Sequence, residues 1–575
     1  MGNSMQSSSA QDHESCGNLF LRKIRRLIPI NFWQEVKSIS KLALPVFLSQ
    51  LMIFLLNIVS SVFCGHLGKV ELDAVSLATV VISITGTSVG IGLATACDTL
   101  ISQTFGSKNL KRIGVILQRG ILILSIACFP CWAIFINVKH ILLACRQSPA
   151  VANLADLYVL IFIPGIPAIF LYQLQIKYLQ NQGITMPQVF TGLIANIINA
   201  IINYIFIFVL KLGVQGSAAA NVISQYCQTI LLFGYIRWKK LYVETWAGWT
   251  ADCLQEWDQF TRLAIPSLLM LCIEWWAFDI GTFLAGLLDQ NQLGAQTIVF
   301  QIELVQYLIP LSYGMAATVR VGNALGASDP EQAVNSAKVA LCCIVCIALV
   351  IASILLAIKN VVGYIFTNDK EIAHLVSQVI PLNAAFYLID SIAGVSGGVL
   401  RGVGKQKLGA IGNLIGFYVI GLPIGISLMF KTKLGIIGLW TGMLICVVVQ
   451  VAFFLTVIYR IDWNKATEDA LVNAGVMRDV QTSTGTSAGQ TQYLSTGVDT
   501  GKSAANPIPN ACELEPKVNN GRVSDKSSIL GAGVTTVGEI LTTKQLIIRR
   551  GLAFLTGPLI LAIGLAIHFS LEKGS

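Results

Sequence analysis

Four acidic residues stand inside long apolar segments of this 575-residue chain, where carboxylates are rare. Glu274 and Asp279 lie in the segment MLCIEWWAFDIGTFLAG. Glu303 lies in the next apolar segment and Asp390 in a later one. A charged group near the centre of a bilayer costs ~2.5–3.5 kcal/mol on insertion scales. We therefore predict that these carboxylates bind a proton or a cation.

Aromatic residues flank the acids in the same segments. An aromatic face beside a buried carboxylate forms a receptor for a bulky organic cation, through cation–π attraction and Coulomb pairing. Trp275 and Tyr307 are the aromatic residues that we assign to this receptor. Because aromatic side chains also face lipid, a lipid-facing role stays open, above all for Trp276. The aromatic residues near the acids are Trp275, Trp276, Phe278, Phe300 and Tyr307.

Helix geometry limits which acids share a site. Asp279 follows Glu274 by five residues, which turns it by ~140° around a helix, so the two need not face one cavity. For each acid the alternative is a structural hydrogen bond to a neighbouring helix, and for Glu303 this alternative has equal weight. Asp98 falls toward the end of its apolar segment, where we expect a solvated carboxylate at the membrane surface.

The sequence argues against an enzyme. Its five histidines lie in the terminal segments or near loops, so none is placed to act with a buried acid as a catalytic base or metal ligand. A phosphate-binding Gly-Lys-Ser/Thr loop is absent from the sequence. Most of the fourteen cysteines stand singly in apolar runs, as small hydrophobic residues do. We therefore predict neither a metal site nor a cofactor.

The elements that must position the acids are membrane-spanning helices. The chain is 54% hydrophobic and 12% charged, which is more apolar surface than one soluble core buries. Runs of the ~20 residues that cross a bilayer recur throughout the sequence. We predict thirteen spans, beginning near Leu42, Ala74, Ile113, Val151, Pro187, Gly216, Arg262, Gly294, Ser336, Ile372, Leu408, Leu434 and Gly551.

The first twelve spans are a duplication of six. KLALP at 41–45 lies over RLAIP at 262–266 at an offset of 221 residues, and the alignment continues without a gap to about residue 85. The glycine turns are repeated too, since Gly106 corresponds to Gly326 and Gly183 to Gly404, and they predict tight turns or hinges. Because each copy has an even number of spans, both enter the membrane in the same direction. The predicted fold is all-α, with two six-helix lobes related by a pseudo-two-fold axis along the membrane normal, plus a thirteenth helix.

The two copies differ in their acids. A structural polar network could have been inherited by both copies, whereas acids in one copy indicate a cation or proton site in the second lobe. At the same offset, the first copy is apolar wherever the second has Glu274, Asp279, Gln301, Glu303 or Asp390: the counterparts are Ile53, Ile58, Val80, Ile82 and Ile169.

Loop charge and composition predict the topology. Lys and Arg concentrate in alternate short loops, so we expect a cytoplasmic amino terminus and an extracellular carboxyl terminus. The +9 charge reflects this topology and attraction to anionic lipid, and not nucleic-acid binding. The predicted units are a cytoplasmic segment 1–40, a first lobe 41–240, a second lobe 241–465, a disordered cytoplasmic linker 466–543, and a thirteenth transmembrane helix with a short outer tail at 544–575.

The chain resembles the vertebrate multidrug and toxin extrusion family over about residues 40–465. The strings that carry the resemblance are MLCIEWWAFDIGTFLAG, VRVGNALGA, SGGVLRGVGKQKLGAIGN, VFCGHLGKVELDAVSLA and CDTLISQTFGSKN. The resemblance implies proton-coupled export of organic cations. It also implies that the family's acidic sites fall on Glu274, Asp279, Gln301 and Asp390. Gln301 is a departure because the family has an acid there, while Glu303 lies two residues further on, ~200° around a helix.

These expectations form one functional hypothesis. A proton and an organic cation visit Glu274 and Asp390 in turn, in a transporter that works as a monomer in a plasma membrane facing an acidic space, such as an apical one. The alternatives are a lipid-linked precursor flippase of similar shape, a channel and a membrane enzyme. A flippase for pyrophosphate-linked lipids needs a cationic cavity, whereas this one is predicted to be anionic.

Overall fold

The computed structural model describes residues 31–145, 147–432, 434–476, 536 and 541–574. Within them, eleven helices are long and apolar enough to cross a membrane, and a helix pair bent by 56° makes a twelfth. The helices that correspond to the thirteen predicted spans are α1 (Phe32–Gly65), α2 (Val70–Gly106), α3 (Leu110–Phe135), α4 (the pair Pro149–Phe162 and Gly165–Gln180), α5 (Met186–Val209), α6 (Gly213–Trp238), α7 (Trp257–Gly286), α8 (Gln290–Gly326), α9 (Pro330–Ile358), α10 (Lys370–Val403), α11 (Gln406–Lys431), α12 (Ile436–Arg460) and α13 (Thr543–Gly574).

The sixth predicted span is a helix of different character from the others. At 26 residues α6 is long enough to cross a bilayer, but it is not among the twelve. Asn221, Gln225 and Gln228 interrupt its apolar sequence. Asn221 and Gln228 are buried, so α6 turns polar groups toward its own lobe.

Each set of six spans packs around its own core. The N-lobe comprises α1–α6 and the C-lobe α7–α12, and separate clusters of buried apolar residues occupy their interiors. The duplication is visible in side-chain detail. A Cβ built on Gly65 would lie 3.9 Å from Leu72, and one built on Gly286 would lie 3.7 Å from Leu293. In both lobes, therefore, the corresponding glycine leaves room for the corresponding leucine.

The lobes meet where α2 and α8 end. Gly106 and Gly326 lie against the opposite helix, and an added Cβ would collide with the backbone carbonyl of Asn323 or Gln103 respectively. Beside this crossing Glu35 of α1 accepts hydrogen bonds from Arg320 of α8 at 2.9 and 2.6 Å. Glycine is thus required at both positions by the close approach of two backbones. This end of the lobe interface is closed.

The glycines at the other two repeated turns have a conformational role. Gly183 has φ +77° and Gly404 has φ +84°, which is the left-handed region that glycine adopts without steric cost. Gly404 caps α10, and its N–H is donated to the carbonyl of Arg401. These two positions are the tight turns that the sequence predicts.

Two helices cross predicted boundaries. The helix α1 begins at Phe32, inside the segment assigned to residues 1–40, because Asn31 with φ 59° turns the chain into it. A further helix, Trp463–Asn473, extends into the linker predicted to be disordered from residue 466, because Asp462 caps it and Ala466 and Ala470 pack into the core. We call it the surface helix. Residues 1–30, and the linker residues 477–535 and 537–540, lie outside the described residues.

The terminal helix α13 packs on the N-lobe, although a long linker precedes it. Gly564 faces the backbone of Ala133 on α3, and the Asn137 side chain donates a 2.9 Å hydrogen bond to the Gly564 carbonyl. At its other end Arg550 donates to the Leu254 carbonyl at 2.7 Å. Small residues let two helices approach closely in a membrane, so this contact has the form of a specific helix–helix interface.

Candidate functional site

Glu274 and Asp390 are neighbours in the C-lobe. Glu274 on α7 is half-buried, and Asn413 of α11 donates a 3.2 Å hydrogen bond to its Oε2 atom. Asp390 on α10 is only 6% exposed and is an electrostatic neighbour of Glu274. Tyr307 of α8 interacts with both carboxylates. Three helices thus place two acids and a phenol at one site.

Glu303 belongs to the same region but is enclosed by amides. Its side chain is 4% exposed, and Asn383 donates a 2.6 Å hydrogen bond to its Oε2 atom. Gln306 in turn donates to the Asn383 Oδ1 atom at 3.3 Å. Within the described residues the Glu303 Oε1 atom has no hydrogen-bond partner, and neither do Gln306 Oε1 and the Tyr387 hydroxyl.

Two of these three unpartnered atoms can only accept hydrogen bonds, and the Tyr387 hydroxyl is the one donor among them. Carboxylate and amide oxygens only accept hydrogen bonds, so the vacant Glu303 Oε1 and Gln306 Oε1 atoms both require a hydrogen from elsewhere. A proton bound to Glu303 would supply one, and a buried unsatisfied polar atom costs about 1–3 kcal/mol. Asp390 is close enough to Glu303 to interact with it electrostatically. The arrangement therefore favours uptake of a proton.

The C-lobe acids are not neutralised by basic side chains. Among the described residues the carboxylates in ion pairs belong to Glu35, Asp98, Glu256 and Asp469, and none of these is a predicted site residue. Arg401 acts on Glu274 through space but does not reach ion-pair distance. Since buried charges are normally paired, unpaired carboxylates are available to a mobile cation.

Among the described residues, no hydrogen bond or ion pair joins Asp279 or Gln301 to the acid pair. Asp279 is half-buried and is close enough to Tyr418 to interact with it electrostatically. Gln301 is exposed, whereas Glu303 on the same helix is buried. The ~200° between them accounts for the difference, because one side of α8 faces the lobe interior and the other faces away. The acid at residue 303 therefore cannot occupy the place of a side chain at residue 301.

The aromatic residues divide into two groups. Phe278 and Phe300 stack at 5.8 Å between ring centroids, inside a buried cluster with Phe386 and Trp440. Phe278, Phe386 and Trp440 belong to the core of the C-lobe, and Phe300 is half-buried beside them. Trp276 is 43% exposed, so it lies outside this cluster. Trp275 is half-buried like its neighbour Glu274, and Tyr307 is the aromatic residue that interacts with the acids.

Several polar residues at the site were missed by sequence reasoning. Asn413 is fully buried and accepts a 2.7 Å hydrogen bond from Gln450 while it donates to Glu274. Asn383 holds Glu303 in the same way. These residues are visible in the sequence as amides within apolar segments. A polar amide without a partner is costly in a membrane, as a carboxylate is, so its presence there indicates a buried hydrogen bond.

The expectation for Asp98 is wrong. It is fully buried and pairs with Lys177 of α4 at 2.7 Å, while Asn181 donates to its other oxygen at 3.2 Å. The two helices α2 and α4 pack so closely that no solvent reaches this carboxylate. A lysine within the apolar sequence of α4 was the signal for this pair.

The described part of the chain contains no group of three His, Cys, Asp or Glu residues that could hold a metal ion. The N-lobe contains a buried network of neutral side chains on α1, α5 and α6. Ser60 donates a 2.9 Å hydrogen bond to Asn221, and Asn199 donates to Asn221 and Ser224 at 3.1 and 3.0 Å. The lobes thus contrast a neutral amide network with a set of acids.

Comparison with known proteins agrees with the duplication. The MatE family model matches this chain twice, at residues 45–205 and 266–426. The two matches begin 221 residues apart, which is the offset found within the sequence. This chain belongs to the MATE family of multidrug and toxin extrusion transporters. It is therefore a multi-pass membrane transporter and not an enzyme.

The full length of the chain resembles that of vertebrate MATE proteins. Multidrug and toxin extrusion protein 1 of Danio rerio is 53% identical over 98% of this chain and 95% of that protein. The human protein of the same name is 51% identical over 94% of both chains. Multidrug and toxin extrusion protein 2 of Mus musculus is 52% identical over 94% of this chain and 93% of that protein.

Solved MATE structures share the two-lobed fold. The crystal structure of the eukaryotic MATE transporter AtDTX14 superposes with a TM-score of 0.74 at 28% identity, over 77% of this chain and 100% of that one. An outward-facing MATE transporter gives a TM-score of 0.68 at 18% identity, over 77% of this chain and 98% of that one.

Proposed function

We propose that this transporter exports organic cations in exchange for protons, by alternating access between its two lobes. The observation that carries the proposal is a set of C-lobe acids without ion-pair partners among the described residues. The names of the vertebrate relatives, multidrug and toxin extrusion proteins, support the same class of activity.

Competition for carboxylates couples the two ligands. A proton and an organic cation each neutralise Glu274 or Asp390, so binding of one weakens binding of the other. In this scheme Trp275 and Tyr307 contact the cation at the acid pair, and Asp279 and Gln301 contact it elsewhere along its path. For a one-for-one exchange of a monovalent cation, a difference of about two pH units drives roughly hundredfold accumulation, because each unit is worth ~1.4 kcal/mol. The exchange moves no net charge.

In this scheme Glu303 binds a proton but does not contact the organic cation. A bulky cation cannot reach a carboxylate that is 4% exposed and already bonded to Asn383. A proton can reach this carboxylate, and the protonated carboxyl group then supplies the hydrogen-bond donor that the buried oxygens lack. Electrostatic interaction with Asp390 connects this proton to the exchange site.

The crossing of α2 and α8 is the cytoplasmic gate of the proposed transporter. Its closure by Gly106, Gly326 and the Glu35–Arg320 pair corresponds to a state that opens to the outside. The loop charges support a cytoplasmic amino terminus and an extracellular carboxyl terminus. Protons moving inward would then drive cations outward, which suits an apical plasma membrane facing an acidic space and requires only one copy of the chain.

The test is transport by the purified full-length chain in vesicles with an imposed pH gradient. We expect tetraethylammonium to exchange against protons in the wild type, and Glu274→Gln and Asp390→Asn to reduce the exchange by at least ~tenfold. Glu371→Gln is the matched control, because Glu371 is exposed at the start of α10. Three outcomes would contradict parts of this proposal. Absence of proton-driven uptake in the wild type contradicts the proposed proton exchange. Unchanged uptake in both site variants contradicts the assignment of Glu274 and Asp390. Translocation of a pyrophosphate-linked lipid instead would identify a flippase.

A further inference from the structure

A cavity of about 560 Å³ lies outside the proposed exchange site, where α12 ends. Its walls come from the first turn of α11, the last turns of α12 and the surface helix. Leu408, Phe453 and Val457 form an apolar side, and each is half-buried. Arg460 and Lys465 also line the cavity, and both are exposed. The cavity is thus amphipathic, with apolar walls and exposed cations in its lining.

The acids that line the cavity are already engaged. Asp469 pairs with Lys405 at 3.6 Å. Asp462 caps the surface helix, and its carboxylate accepts hydrogen bonds from the backbone N–H groups of residues 464 and 465 at 3.1 and 3.2 Å. Neither Arg460 nor Lys465 forms an ion pair with a described carboxylate. The two cations are therefore available to an anionic ligand.

We infer that this cavity binds one anionic phospholipid of the cytoplasmic leaflet. Its phosphate would lie between Arg460 and Lys465, since guanidinium and ammonium groups are the usual partners of phosphate. An acyl chain would lie along Leu408, Phe453 and Val457. Basic pockets between helices on the cytoplasmic side of a membrane suit such head groups. The inference rests on the proposed function only for its orientation, in which this end of α12 faces the cytoplasm.

The bound lipid would act on the gate through the surface helix. The first half of that helix lines the cavity, while its other end reaches the N-lobe. There Asn473 donates to Gln103 at 2.9 Å and accepts from Gln259 of α7 at 2.7 Å. Asn109 of the N-lobe donates to the Ala474 carbonyl at 2.9 Å. A lipid that holds the surface helix in place would therefore stabilise the closed cytoplasmic side.

The experiment compares the full-length chain in nanodiscs of phosphatidylcholine alone with nanodiscs that also contain phosphatidylserine. Native mass spectrometry after mild delipidation reports retained lipid, and a thermal melt reports stability. For the wild type we expect one retained phosphatidylserine and a melting temperature raised by at least ~2 °C. The double variant Arg460→Gln, Lys465→Gln should lose both effects.

A second double variant separates a specific site from general attraction to an anionic surface. Arg237→Gln, Lys239→Gln removes the same charge from basic residues that stack on Tyr242 and Trp238. It should retain the lipid and the temperature shift. The inference is overturned if the wild type retains no phosphatidylserine, if both double variants lose it equally, or if the Arg460, Lys465 variant keeps it. In phosphatidylcholine alone, all variants should have the same melting temperature, and the wild type should exchange tetraethylammonium. These two controls show that loss of lipid binding is not a failure of the fold or of the proposed function.

Discussion

At the residue scale, the acids of the C-lobe differ in what surrounds them. Glu274 is half-buried and held by Asn413, whereas Glu303 is almost fully enclosed and held by Asn383. Enclosure excludes a bulky cation but not a proton. The two glutamates can therefore carry different parts of one exchange, although they lie in the same lobe.

Replacement of Glu303 by glutamine tests this division. Glu303→Gln preserves the size of the side chain and an oxygen for Asn383, but it cannot release a proton. We expect the pH dependence of tetraethylammonium exchange to flatten, while the KM for the cation changes by less than ~twofold. Initial rates measured across a pH series check this. A large rise in KM with an unaltered pH profile would instead assign Glu303 to cation binding.

The buried Asp98–Lys177 pair gives a prediction about stability. Removal of one partner leaves a charge without compensation, which typically costs about 3–5 kcal/mol. We expect Asp98→Asn and Lys177→Met each to lower the thermal stability of the purified protein, and the double variant to recover part of the loss. A double-mutant cycle of melting temperatures gives the coupling. Additive losses would show that the pair contributes no interaction of its own.

At the element scale, the crossing of α2 and α8 depends on glycine in both helices. Gly106→Ala and Gly326→Ala should prevent full closure, because each Cβ meets a backbone carbonyl that cannot move aside by rotamer change. We expect exchange to fall while expression is retained. Gly234→Ala is the control, since nothing lies within 4 Å of a Cβ on that glycine. Equal activity of all three variants would contradict a gate at this crossing.

The docking of α13 is a second prediction about elements. Gly564→Leu should separate α13 from α3, because its Cβ would already lie 2.8 Å from the Ala133 Cβ atom. A cysteine pair at Phe129 and Gly557, which are neighbours across the same interface, should cross-link in the parent protein and lose the cross-link in the variant. Gly551→Leu should leave it unchanged, since Gly551 faces open space. Persistent cross-linking in Gly564→Leu would contradict the interface.

At the scale of the whole molecule, two lobes of like fold are joined at one end by ionic and backbone contacts. Glu35 accepts four hydrogen bonds, from Arg320, Gln332 and Ser336 of the opposite lobe. Such a cluster stabilises the closed state and must break when the lobes separate at this end. The balance between the two states is therefore sensitive to this carboxylate.

Loss of the Glu35 charge should shift that balance. We expect Glu35→Gln to increase hydrogen–deuterium exchange at residues 96–106 and 316–326, which cross at the closed end. Glu331→Gln, an exposed acid at the start of α9, should leave exchange there unchanged. Protection equal to that of the parent protein in Glu35→Gln would show that other contacts keep this end closed.

The sequence by itself determined the repeated architecture and the asymmetric acids. An apolar run long enough to cross a bilayer has few structural outcomes, and a constant offset fixes which residues correspond. The family and the presence of Glu274, Asp279, Glu303 and Asp390 in one copy follow from that information. Lysines and arginines in the loops likewise predict the orientation of the chain in the membrane, because this effect depends only on charges close to each span in the sequence.

Only the tertiary structure decided which of these residues meet. The burial of Asp98 depends on Lys177, 79 positions away, and the enclosure of Glu303 depends on Asn383, 80 positions away. Helix packing sets such pairs, and a single sequence does not state which faces come together. The docking of α13 and the course of the surface helix depend in the same way on contacts with distant helices, which local composition does not record.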